Sequence, residues 1–156
     1  MDPAIRQLLM KNDFVGEWYD EPANPSLKLH ELEAIKPQIE VVVGRELDID
    51  PNVEDATYLT DIGLLDDRYY NRKARTGAWV FLFAFRFSCF GWMFTVHGTE
   101  WRERSKEWNL DEVIRFLKDW GFAYIPEDEL RVPYDGPNKW SVGGPATWWT
   151  RFFDYV

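Results

Sequence analysis

The side chains in this 156-residue chain best suited to chemistry are two histidines, one cysteine and a run of carboxylates. His97 stands three residues before Glu100, so the two can pair at a strand end. An imidazole–carboxylate pair does acid–base work only where its geometry is right. Arg86 lies near the middle of the most apolar stretch, AWVFLFAFRFSCFGWMFTV, from Ala78 to Val96. A guanidinium on such a face must meet a carboxylate, an anion or water, because an isolated buried charge is very costly. Arg86, His97 and Glu100 therefore define one candidate pocket beside a central sheet. For Arg86 the competing expectation is an internal ion pair with an acidic neighbour. His30 falls within a helical segment, as a surface or boundary residue. Cys89 carries no nucleophile signature and is expected to serve as a small buried hydrophobe.

The densest carboxylates fall in DIDPNVEDATYLTDIGLLDD, from Asp48 to Asp67. Asp48, Asp50 and Asn52 are spaced like the first ligands of an EF-hand calcium loop. That loop requires Gly at its sixth position and Glu at its twelfth, where this chain has Val53 and Leu59. No metal is expected. G-x-S-x-G elbow, P-loop, dinucleotide fingerprint and HExxH are all missing, so no cofactor is expected and enzyme chemistry has no motif behind it. Catalysis by carboxylates alone has no signature and stays open.

These residues must be positioned by the Ala78–Val96 stretch, which is about as long as a membrane span. A central Arg costs a spanning helix about 2.5–3.5 kcal/mol, and the aromatic and β-branched content suits strands. Divided at Ser88–Gly91, the stretch reads as a hairpin over about 78–97. Trp79, Phe81, Phe83, Phe85 and Phe87 then share one face, and Val80, Leu82 and Ala84 the other. In the second strand Trp92, Phe94 and Val96 alternate with a wetter row of Met93, Thr95 and His97.

Upstream, Asp2 and Pro3 open a short helix carrying Ile5, Leu8 and Leu9 inward. Asn12 to Pro25 is an aromatic loop with Phe14, Trp18 and Tyr19. Ser26 caps a second helix whose stripe is Leu29, Leu32 and Ile35, and Pro37 is expected to end it. Ile39–Val43 reads as a strand, and Thr57–Leu64 as either strand or helix. Arg68–Arg75 is a basic, aromatic connector into the hairpin. Beyond it, Glu100, Arg102 and Arg104 extend a solvated strand. Asn109 and Glu112 have capping-box spacing ahead of a helix with Leu110, Val113, Ile114, Leu117 and Trp120, stopped by Gly121. Phe122–Ile125 is a short strand, and TWWTRFFDYV a final dense one. The expected fold is α+β, a mainly antiparallel sheet with helices packed against it, in a single globular domain over residues 1–156.

Apolar residues make up 46% of the chain and aromatic ones 17%, nine of them Trp, which serve either a core or an interface. The net charge of −9 is uneven. Up to Asp67 there are 16 acidic and 5 basic residues; from Arg68 onward there are 11 and 13. An acidic first half argues against direct nucleic-acid binding. The Met-Asp-Pro start has neither a basic nor an apolar signal region, and one cysteine suits a reducing compartment, so a cytoplasmic protein is expected.

In size, in the acidity of Asp48–Asp67 and in its Trp-rich ends, the chain resembles the immunity proteins of bacterial toxin–immunity systems. The resemblance implies a small domain that blocks a basic toxin such as a nuclease. Asp48, Asp50, Glu54, Asp55, Asp61, Asp66 and Asp67 would then form the partner interface. The alternatives are a small-ligand or enzymatic domain at the Arg86–His97 pocket, and a membrane-associated protein resting on the length of the central run.

Overall fold

A computed structural model describes residues 1–16, 18, 27–51, 53, 59–88, 90–139 and 144–154. Tyr19, Ser26, Glu54, Asp55 and Cys89 lie outside the described residues. In chain order come helices α1 (Pro3–Asn12) and α2 (Leu29–Val43), then strands β1 (Asp48–Asp50) and β2 (Leu59–Leu65). A two-stranded arm, β3 (Tyr70–Asn71) and β4 (Thr76–Gly77), precedes β5 (Phe81–Ser88) and β6 (Met93–His97). Helices α3 (Trp101–Arg104) and α4 (Leu110–Asp119), strand β7 (Ala123–Tyr124), and helices α5 (Glu127–Leu130) and α6 (Trp148–Phe152) complete it.

The aromatic stretch folds back on itself as antiparallel β5 and β6, at the middle of a sheet ordered β1-β2-β5-β6-β7. Among the described residues, only the β6–β7 pairing is parallel. The fold is α+β with a mainly antiparallel sheet, and no described helix is long and apolar enough to cross a membrane. On one face, Phe83, Phe85, Phe87, Phe94 and Val96 pack with Leu32, Ile35, Ile39 and Val43 of α2 and Val113 and Leu117 of α4. On the other, Leu59 and Met93 meet Leu9, Leu130, Trp148, Trp149 and Phe152. Both faces are thus covered, including the row expected to be wetter: Met93 and Thr95 are buried.

Several expected elements change type. Pro37 does not end α2; it sits inside a 15-residue helix that absorbs the expected strand Ile39–Val43. Ile35, Ile39 and Val43 recur at helical spacing on the buried side, while Val41 is 82% exposed. Pro37 and Glu33 are both exposed, so water can take up the carbonyl that Pro leaves unbonded. Lys28, not Ser26, precedes the first turn, and Glu31 reaches back to its N–H. Leu29 is exposed rather than part of the stripe. The expected strand at Glu100–Arg104 is the short helix α3. The final aromatic run is the short helix α6, because Thr147 and Thr150 cap each other's backbone N–H groups. Helix α4 starts at the expected place, but Asn109 caps nothing with its side chain: at φ +53° it donates to the Val42 carbonyl instead, tying α4 to α2. Trp120, expected in the stripe of α4, is exposed. The ambiguous segment before Asp66 is strand from Leu59 onward.

One irregularity shapes the site. The β2–β5 register shifts between Leu64, which faces Phe83, and Leu65, which faces Phe81. This bulge takes Phe81 out of the Phe83–Phe87 row and sets it with Leu65 and Ala84 on the opposite face.

Candidate functional site

A polar row crosses the otherwise apolar sheet. Asp50 of β1 pairs with Asp61 of β2, Asp61 with Arg86 of β5, and Arg86 with Thr95 of β6. Paired residues share a face, so four polar side chains lie side by side. Arg86 Nε and Nη2 donate to the two Asp61 oxygens at 2.9 and 2.8 Å, and Nη1 donates to the Phe153 carbonyl at 2.9 Å. His97 Nε2 stands 3.2 Å from Asp61 Oδ2. Trp149 closes this group from above, its ring 5.7 Å from the Arg86 guanidinium and 6.1 Å from the imidazole.

Asp61 is 1% exposed. Burial by itself would raise its carboxyl, but His97 and Arg86 more than reverse that and hold it at about 2. Asp61 therefore stays ionised across the working range and fixes the imidazole from its Nε2 side. Among the described residues nothing bonds the other ring nitrogen.

Beside this group opens a cleft of about 410 Å³, lined by Asp50, Val53, Asp61, Trp79, Val80, Phe81, Arg86, His97, Gly98 and Thr99. The bulge supplies Phe81, whose ring lies 6.4 Å from His97, and Trp79 stands 6.2 Å beyond Phe81 with 46% of its surface exposed. Gly98, at φ +130°, turns the chain out of β6 at the lip; a Cβ there would lie 2.6 Å from the Leu82 carbonyl.

Of the expected pocket residues, Arg86 and His97 meet through Asp61, and Arg86 has the internal acidic partner. Glu100 does not join them. It pairs instead with Arg68 at 2.8 Å and Arg104 at 2.6 Å. Of the expected interface carboxylates, Asp61 and Asp66 are not on the surface. Asp61 is inside the sheet, and Asp66, 3% exposed, takes the Arg68 guanidinium at 2.5 Å. Hydrogen bonds from Arg68 hold the Asp66 carboxyl below the usual carboxylate range. Asp48 and Asp67 share Arg72 at 2.8 and 2.9 Å. Asp50 lines the cleft; Glu54 and Asp55 lie outside the described residues. His30 is exposed on α2.

Sequence reasoning missed a second buried polar centre. Asp13 and Arg151, both fully buried, pair at 2.8 Å. Asn138 Nδ2 donates to Asp13 at 2.9 Å, the Tyr134 hydroxyl also donates to Asp13, and Arg151 Nη1 donates to the Trp18 carbonyl at 2.9 Å. Burial, then the hydrogen bond to Asp13, pushes the Tyr134 phenol up to about 12. The Phe90 ring lies 4.7 Å from the Arg151 guanidinium. Among the described residues, no group of three or more His, Cys, Asp or Glu side chains could hold a metal ion.

Comparison with protein families, curated proteins and solved structures finds no match to the chain.

Proposed function

We propose that the protein is a binding module for a basic protein, of the kind that blocks a toxin such as a nuclease in the bacterial cytoplasm. The observation behind this reading is the rim beside the cleft. There Asp48, Asp66, Asp67, Glu100 and Glu107 converge on the guanidiniums of Arg68, Arg72 and Arg104, five carboxylates to three paired cations, and Arg45 also acts on Glu107. The rim adjoins the cleft directly: Glu100 follows Thr99, and the Asp66 N–H donates to the Val80 carbonyl. Exposed Trp79 lines the cleft and exposed Tyr69 lies beside Arg68 of the rim, rigid rings of the kind that anchor interfaces. A net charge of −9 adds long-range attraction for a basic partner.

The test is affinity capture from the native cell at low salt. The expected partner is a basic protein that is released as salt rises, and Asp67→Lys, at an exposed position, slows its association. Capture of no basic protein, or capture indifferent to that reversal and to salt, ends this reading.

The cleft itself favours a second reading, a site for a small ligand, since its volume falls within the range of ligand pockets. A thermal-shift survey separates the two. A small molecule held at a hundred times its dissociation constant adds about 2.7 kcal/mol of stability, and a protein-only module shows no such shift.

A further inference from the structure

We infer that the cleft binds a small aromatic molecule carrying an O–H or N–H donor, and that His97 Nδ1 accepts the hydrogen bond that fixes it; this rests on the small-ligand reading of the cleft. The imidazole carries the inference. Its Nε2 faces Asp61 Oδ2 at 3.2 Å, and Asp61 is buried and also bonded by Arg86. With an ionised carboxylate at Nε2, the neutral ring keeps its proton on that nitrogen and leaves Nδ1 a lone pair. No described residue bonds Nδ1. Among the described residues, the buried polar side-chain atoms without a partner are Thr95 Oγ1, Trp108 Nε1 and Arg151 Nη2, so Nδ1 is reached by solvent. The side chain that carries it is 18% exposed and stands on the cleft wall, where a molecule in the cleft can meet it.

The setting is built before anything enters. The imidazole makes edge contacts with Phe81 at 6.4 Å and Trp149 at 6.1 Å. Trp79, itself edge-on to Tyr70 at 5.6 Å and to Phe81 at 6.2 Å, adds an exposed ring to the wall, and Val53 and Val80 add apolar surface. Rings already fixed in place receive a flat molecule at little entropic cost. At about 410 Å³ the cleft lies near the lower end of ligand pockets, a size suited to one or two rings.

The test titrates the intact protein with three probes: phenol, anisole, which keeps the ring without the donor, and cyclohexanol, which keeps the donor without the flat ring. It is run at about pH 8.5, above the ordinary imidazole range. NMR follows the His97 ring nitrogens and the Trp79 indole N–H. Before any addition, Nε2 should show the shift of a protonated nitrogen and Nδ1 that of an unprotonated one. Phenol is expected to move the signals of both residues saturably, with a dissociation constant of about the millimolar order. Anisole, although more apolar, and cyclohexanol should bind about three- to tenfold more weakly, the worth of one hydrogen bond or of one ring contact. His97→Gln still offers Asp61 an N–H but has no acceptor at Nδ1. It should lose phenol affinity by about the same factor, with an unchanged melting temperature showing that the fold is kept. A protonated Nδ1 in the free protein at that pH, no saturable shift with phenol, anisole or cyclohexanol binding as tightly as phenol, or a folded His97→Gln that binds phenol unchanged would each overturn the inference. If His97→Gln lowers the melting temperature, the phenol-to-anisole ratio on the unaltered protein decides. A stabilising compound of another class, with His97 unmoved by phenol, ends this inference and leaves the small-ligand reading standing; a survey with no stabilising compound ends that reading itself.

Discussion

Asp61 is a charged residue inside a sheet, and its two partners make it tolerable there. Removing one member of such a group leaves an uncompensated buried charge, which typically costs 3–5 kcal/mol. Arg86→Met should therefore destabilise by about that much, while Arg86→Met combined with Asp61→Leu should cost clearly less than the sum of the single changes. Urea unfolding of the four proteins measures this. The carboxyl titrates at about 2 in the folded protein against an ordinary 3.8, so its contribution is present above about pH 4 and is lost as pH falls towards 2. Over that interval stability should drop by roughly 2 kcal/mol, and Asp61→Asn should lack this part of the acid slope. The sequence shows that Arg86 must meet a carboxylate, an anion or water, because its strand is apolar on both sides. It does not reveal that the partner is Asp61. A carboxylate in an acidic run looks like surface, and only strand register brings Asp61 opposite Arg86. His97 is legible as a site residue for its place at a strand end, but the nearest carboxylate in sequence, Glu100, is not its partner in space.

Two elements decide what surrounds that group. Helix α2 runs through Pro37, and a paired substitution tests it directly. In a helix Ile39 and Val43 are inside and Val41 outside, whereas a strand would put all three on one side. Ile39→Ala should cost about 2–4 kcal/mol and Val41→Ala about 0.5 kcal/mol or less in denaturant unfolding. The β-branched run misleads a local reading because packing on the sheet, not intrinsic preference, sets the conformation. The bulge at Leu64–Leu65 is equally hidden: no residue type marks it, and alternation alone keeps Phe81 with Phe83. The hairpin, α1 and α4 are legible because their periodicity runs long or their caps are explicit. The short helix α6 is not legible, since five residues with three aromatics carry no helical period.

Across the whole molecule, charge and closure matter most. The excess of acidic residues in the first half was readable by counting, but Arg68 and Arg72 in the second half fold onto it and neutralise part of it. Association with a basic partner should therefore depend on salt less steeply than the bare sequence charge suggests, and stopped-flow rates at several salt concentrations measure that slope. Closure rests on Asp13 and Arg151, which are 138 residues apart and fully buried. Arg151→Met should destabilise by about 3–5 kcal/mol, as judged by urea unfolding, and should expose the segment around Phe14 to proteases earlier than the sheet.

That long span has a consequence during synthesis. The carboxylate of Asp13 leaves the ribosome 138 residues ahead of the guanidinium it needs. Until Arg151 emerges, α1 and the loop after it lack the partner that completes their burial, so a stalled nascent chain would carry a sheet whose second face is still bare. The finished state should then form in one late, cooperative step rather than growing steadily from the first helix.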